Sequence, residues 1–182
     1  SYSMHRALHP LQLDGRTAVV WQSRSDWRPQ LSVFGSDFSS YEQIALPSTE
    51  QATLAGAAHD GKDPGTLFLL MVQWGDGRPE ENRSLTVIKA AMDGSELKRQ
   101  ALDGGKDGLD MVCFGHYDGL ADQPPPYGAQ LSVAYAGGLL GVHMGRFMHR
   151  SEDGLNHQAG IWLTLSADTL QVQQPPTRTT SH

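Results

Sequence analysis

Three stretches of this chain repeat one short pattern: a run of strand-forming residues that ends in an aspartate turn and resumes as a second strand. Leu31-Ser32-Val33-Phe34-Gly35-Ser36-Asp37 leads on to Ala45-Leu46. Leu85-Thr86-Val87-Ile88-Lys89-Ala90-Ala91-Met92-Asp93 leads, at the same interval, to Ala101-Leu102. A third copy, Ile161-Trp162-Leu163-Thr164-Leu165-Ser166-Ala167-Asp168, runs on through Thr169-Leu170-Gln171-Val172. A chain with internal repeats folds as a row of similar units, because each unit buries its apolar face against its neighbour. The interval before the third copy is the longer one. The extra length falls in 103–127, where Gly104-Gly105 and Pro124-Pro125-Pro126 mark an insertion.

Ahead of the second and third copies stands another matching pair, Thr53-Leu54-Ala55-Gly56-Ala57 and Ser132-Val133-Ala134-Tyr135-Ala136, each followed by a turn and an apolar run. Those runs cover 67–72 and 139–144. They lack the polar alternation of half-buried strands and therefore read as strands buried on both faces. Each unit then holds four antiparallel strands, the last unit reading as 130–136, 139–147, 160–165 and 169–173. Residues 92–102 alone admit a short helix with Ser95 as cap, a reading the repeat argues against.

On this strand order and Asp-turn spacing the chain resembles β-propeller repeats. The resemblance implies an all-β fold of about three blades, over units 11–47, 51–102 and 128–173 with insertion 103–127, in a single domain spanning 11–173. Three blades fall short of the four to eight a closed ring needs, so oligomerisation or further sequence has to close it. The alternative for three four-stranded units is a β-trefoil. Residues 1–10 read as an N-terminal extension or scar. The end, with Gln173-Gln174-Pro175-Pro176, makes 174–182 a disordered tail.

Composition narrows the function classes. With 182 residues, 38% hydrophobic and 19% charged, this is the profile of one soluble domain. No apolar run approaches the roughly 20 residues of a membrane helix, so no membrane partner is expected. Twenty acidic residues against 14 basic ones give a net charge of -6, and no Lys/Arg cluster offers a surface for nucleic acid. The single cysteine, Cys113, forms no internal disulfide and lies in an apolar run, and the compartment does not follow from the sequence.

Three regions hold candidate site residues. In Trp21-Gln22-Ser23-Arg24-Ser25-Asp26-Trp27-Arg28 two indoles, two guanidiniums and a carboxylate share one early hairpin, a composition suited to ligand contact, with Trp21, Asp26, Trp27 and Arg28 as the contacting residues. His149, Asp153, Asn156 and His157 crowd one stretch of the third unit that starts at His143; imidazole and carboxylate would suit a divalent metal such as zinc, held by His149, Asp153 and His157. No other cofactor is implied. Trp74 and His116, with Trp162 and Tyr135 as further stacking rings, complete the set. Ser151-Glu152-Asp153-Gly154 is also similar to the Asp box of sialidase-type propellers, a structural turn.

No nucleophile elbow, phosphate loop or paired Cys/His arrangement appears, so no catalytic residue is assigned. The expected function is a non-catalytic recognition module, lectin-like, taking a carbohydrate or another polar ligand through its hairpin loops and assembling as a homo-oligomer. Some bacterial fucose-binding lectins, with chains too short to close a ring, build one propeller from several chains; the likeness is architectural. One alternative is a hydrolase or metal-dependent enzyme using His143, His149, Asp153 and His157 with His116. Another is a scaffolding fragment of a larger propeller.

Overall fold

The structure, a computed structural model, describes residues 8–13, 15–23, 25–50, 52–73, 85–102, 131–150 and 156–181. It contains no helix among them, and so none long and apolar enough to cross a membrane. Twelve strands follow in chain order: β1 (Leu8–Leu13), β2 (Arg16–Gln22), β3 (Pro29–Phe34), β4 (Tyr41–Ala45), β5 (Ala52–His59), β6 (Thr66–Gln73), β7 (Leu85–Ala91), β8 (Glu96–Leu102), β9 (Leu131–Ala136), β10 (Leu139–Arg150), β11 (Asn156–Ser166) and β12 (Val172–Ser181).

They form three four-stranded antiparallel sheets, β1–β4, β5–β8 and β9–β12, each paired in simple chain order. The fold is thus all-β and built of blade-like repeats. The strands pair only within their own sheets among the described residues, which rules against the trefoil alternative.

The repeated aspartates mark equivalent places, the turns between the third and fourth strands. Asp37 Oδ1 accepts the Ser39 backbone N–H at 3.0 Å, and Asp93 Oδ1 accepts that of Ser95 at 2.9 Å. Each turn also holds one residue in the left-handed region, a conformation that three-residue hairpin loops require and that these turns share. Phe38 takes that role at φ 59°, Gly94 at 86° and Leu170 at 61°. At Gly94 the position is doubly restricted, since a Cβ there would run into the Ala45 carbonyl of the first sheet.

Two apolar layers separate the three sheets. Strict alternation along β6 sends Leu67, Leu69 and Met71 into the layer shared with the first sheet, where they meet Ala18, Val20 and Leu31. The intervening Phe68, Leu70 and Val72 enter the layer shared with the third sheet, with Leu140, Val142 and Leu163. The second sheet is therefore buried on both faces, as the unbroken apolar run 67–72 predicts. Full burial of one such side chain stabilises by about 1.5–3 kcal/mol. The first strands of neighbouring sheets also meet, β1 against β5 and β5 against β9. Gly56 on β5 lies so close to β9 that a Cβ would stand 3.2 Å from Val133 Cγ1.

Four expectations change. The run 139–144 is buried on one face only: Leu140 and Val142 are fully buried, whereas Leu139 is 43% exposed and His143 half-buried. The third sheet ends the row, so nothing among the described residues covers its far side. The last strand starts at Val172, because 167–171 make the turn. It continues to Ser181, so Gln174 and residues 177–181 pair with β11 where a disordered tail was expected. Pro175 and Pro176, which lack an N–H, fit because β12 is an edge strand and its register slips between Trp162 and Thr164, next to them. Finally, β1 begins at Leu8, which places residues 8–10 of the expected N-terminal extension inside the sheet.

Candidate functional site

In an antiparallel meander every second connection returns to the same end of the sheet. The connections from second to third strand are 23–28, 74–84 and 151–155, and those between sheets are 46–51 and 103–130. All five start and finish at one end, and the segments that hold Asp26, Trp27, Arg28, Trp74, His116 and Asp153 are among them. The other end carries the tight turns. There Arg16 pairs with Asp63 at 3.7 Å, and Lys89 with Asp168 at 3.7 Å, tying adjacent sheets together.

At the loop-bearing end Gln22 fixes the 23–28 connection. Alternation with Ala18 and Val20 turns Gln22 inward, and its buried amide works in three directions. Its Nε2 donates to the Trp27 carbonyl at 2.7 Å and to the Ala52 carbonyl at 2.9 Å. Its Oε1 accepts the Leu54 N–H at 2.9 Å. One side chain thus joins the loop to the start of the second sheet. No functional motif flags Gln22, although its place in the period-2 pattern shows it to be an inward polar residue.

Held this way, Trp27 adopts φ 56°, a left-handed conformation that costs a bulky residue about 1–3 kcal/mol. Asp26 closes the loop by accepting the Arg28 backbone N–H at 3.1 Å. That bond, with help from Ser23, holds its exposed carboxyl below the usual carboxylate range. Asp26 is therefore a fixed anionic acceptor, and Arg28 beside it is an exposed cation. Trp21 does not join them. It lies at the end of β2 on the far face of the first sheet, and its indole N–H donates to Ser32 Oγ at 3.0 Å.

In the third sheet much of the expected loop is strand. β10 runs to Arg150 and β11 begins at Asn156, so His149 and His157 are cross-strand partners and Arg150 pairs with Asn156. A bulge between Arg146 and His149 precedes them. Trp74, His116, Asp153 and the Asp-box-like turn lie outside the described residues. His143 stands mid-strand opposite Trp162, with ring centroids 4.0 Å apart. Tyr135 stacks on Phe68 at 5.8 Å, so that ring serves the core. Among the described residues no group of three or more His, Cys, Asp or Glu is arranged to hold a metal.

A comparison with protein-family models finds none that matches this chain, and a comparison with curated proteins finds no match either.

Proposed function

We propose that this chain is a non-catalytic recognition module that takes a carbohydrate or another polar ligand at the loop-bearing end of its sheets. The observation that carries the reading is the Gln22-braced loop, which presents the Asp26 carboxylate, the Arg28 guanidinium and the Trp27 indole on a strained, rigid connection. Fixed donors and acceptors beside an aromatic ring suit a hydroxyl-rich ligand with one apolar face. An exposed Asp26 whose pKa is lowered suits binding better than proton transfer.

The test is a glycan array probed with the purified chain, as isolated and after chelation. A saturable hit that is lost in Arg28→Ala or Trp27→Ala is expected; absence of any saturable hit would overturn the carbohydrate form of the reading. A metal-dependent enzyme is the second reading, and the cross-strand pairing of His149 with His157 favours it. Stoichiometric divalent metal in the purified protein, lost in His157→Ala, would move the assignment there.

A further inference from the structure

Among the described residues, each end sheet leaves one face uncovered. In the first sheet, alternation commits Leu11, Val20, Leu31 and Val33 to the second sheet and leaves Leu8, Val19, Trp21, Phe34 and Tyr41 on the other side. In the third, Leu140, Val142, Leu163 and Leu165 face the core, while Leu139, His143 and Trp162 stand opposite. The large apolar side chains exposed on the described surface concentrate on these two faces. Leu8 and Tyr41 lie on the first, with Phe38 packed beside Phe34 at its edge, and Leu139 and Trp162 lie on the third; Leu97 alone lies elsewhere. Both faces also lack charge. No Asp, Glu, Lys or Arg occupies a paired position on either, up to the bulge in β10, although the chain as a whole carries a net charge of -6. Polar side chains share these faces, among them Gln12, Gln30, Ser32 and Gln43 on the first and Ser132, Thr164 and Gln174 on the third, yet uncharged faces with exposed apolar side chains of this kind mark contact surfaces.

The contacts already made indicate what covers them. The second sheet packs one face on the first sheet and its other face on the third, so the row has a direction. Repeating that relation once more sets the first sheet of another copy against the open face of the third. We propose that a second copy of this chain docks in this way, head to tail, and that two copies close a six-sheet ring in which each copy uses both open faces. A two-fold pair satisfies both interfaces at once, as heterologous contacts do when their rotation closes. Six sheets fall within the four to eight of closed propellers. The inference rests on strand register and exposure and does not depend on the ligand reading.

Light scattering across a concentration series tests it on the whole chain. About twice the 19.8 kDa chain mass is expected. Tyr41→Lys, on one face, and Trp162→Glu, on the other, replace side chains that are 66% and 53% exposed, so each single variant should keep the parent's circular dichroism and run as a monomer. An equimolar mixture of the two should return to the dimer mass, because the mixed ring has one unaltered interface and one with opposite charges. A parent that stays monomeric at every concentration would overturn the proposal, as would a dimer broken by only one of the two substitutions, which signifies a face-to-itself contact. Failure of the mixture to reassemble while both variants remain folded would also overturn it.

Discussion

β6 and β10 hold the same position in their sheets, each the second strand, and each begins with a run of apolar residues. They end in different environments. Every residue from Leu67 to Val72 is buried, odd positions towards one neighbouring sheet and even positions towards the other. Among the described side chains of β10 only Leu140 and Val142 are buried, and Leu139 opens outward. An apolar strand thus records how many neighbours its sheet is built to have. The sheet of β6 has two neighbours in this chain, and the sheet of β10, among the described residues, has one.

The sharpest test of that contrast replaces one leucine on each strand. Leu70→Ala removes a fully buried side chain between two sheets and should lower unfolding stability by about 2–5 kcal/mol. Leu139→Ala, measured by urea denaturation at a dilution where the chain is monomeric, should change it by less than about 0.5 kcal/mol. Equal losses at the two positions would show that the outer face of β10 is covered within the chain.

A second test compares the two ends of the sheets. Gln22→Ala leaves the Leu54 N–H and the carbonyls of Ala52 and Trp27 without their partner, at a cost of about 1–3 kcal/mol. Amide exchange should accelerate at Leu54 and at Arg28, whose loop loses its brace, while the turns around Asp37 and Asp93 keep their rates. Acceleration at both ends alike would show that Gln22 supports the whole fold and not the loop.

The smallest expected effect is in the pH dependence. His9 lies in the seam between the first two sheets, where burial lowers its pKa against an opposing backbone hydrogen bond with Leu54, and its Nε2 has no hydrogen-bond partner among the described residues. The unfolded chain then binds the proton more readily. Stability should be full above the ordinary histidine value of 6.5 and decline as pH falls below it towards the depressed folded value. The carboxyls of Asp37 and Asp93, lowered mainly by their bonds to Ser39 and Ser95, add a second loss in strong acid, below the ordinary 3.8. His9→Phe should remove the first decline in a urea series and leave the second. Persistence of the first would assign it to another group.

Much of the fold is legible in the residues. Asp37, Asp93 and Asp168 mark the same turn in each sheet; the first two accept the N–H two residues on, whereas in the third turn Ser166 Oγ accepts the N–H groups of Asp168 and Thr169. The unbroken apolar run of β6 announces double burial because alternation has nothing polar to turn outward. The candidate site is legible only in part. Asp26, Trp27 and Arg28 stand together because they are neighbours in one short connection, whereas Trp21, in the same stretch, is carried by strand alternation to a sheet face. The place of Pro175 and Pro176 within an edge strand escapes composition, since the bulge that leaves them unpaired belongs to the β11–β12 register.

The sequence by itself therefore determined local matters: strand periods, turn positions, the number of sheets and the net negative charge. Those follow from alternation, turn chemistry and charge, which act over a few residues. Tertiary structure decided which apolar face meets which, that Gln22 and His9 lie in the seam between sheets, and that β10, among the described residues, has an open side. Each of these depends on the order in which whole sheets stack, and residues distant in the chain acquire neighbours only once that stacking is made.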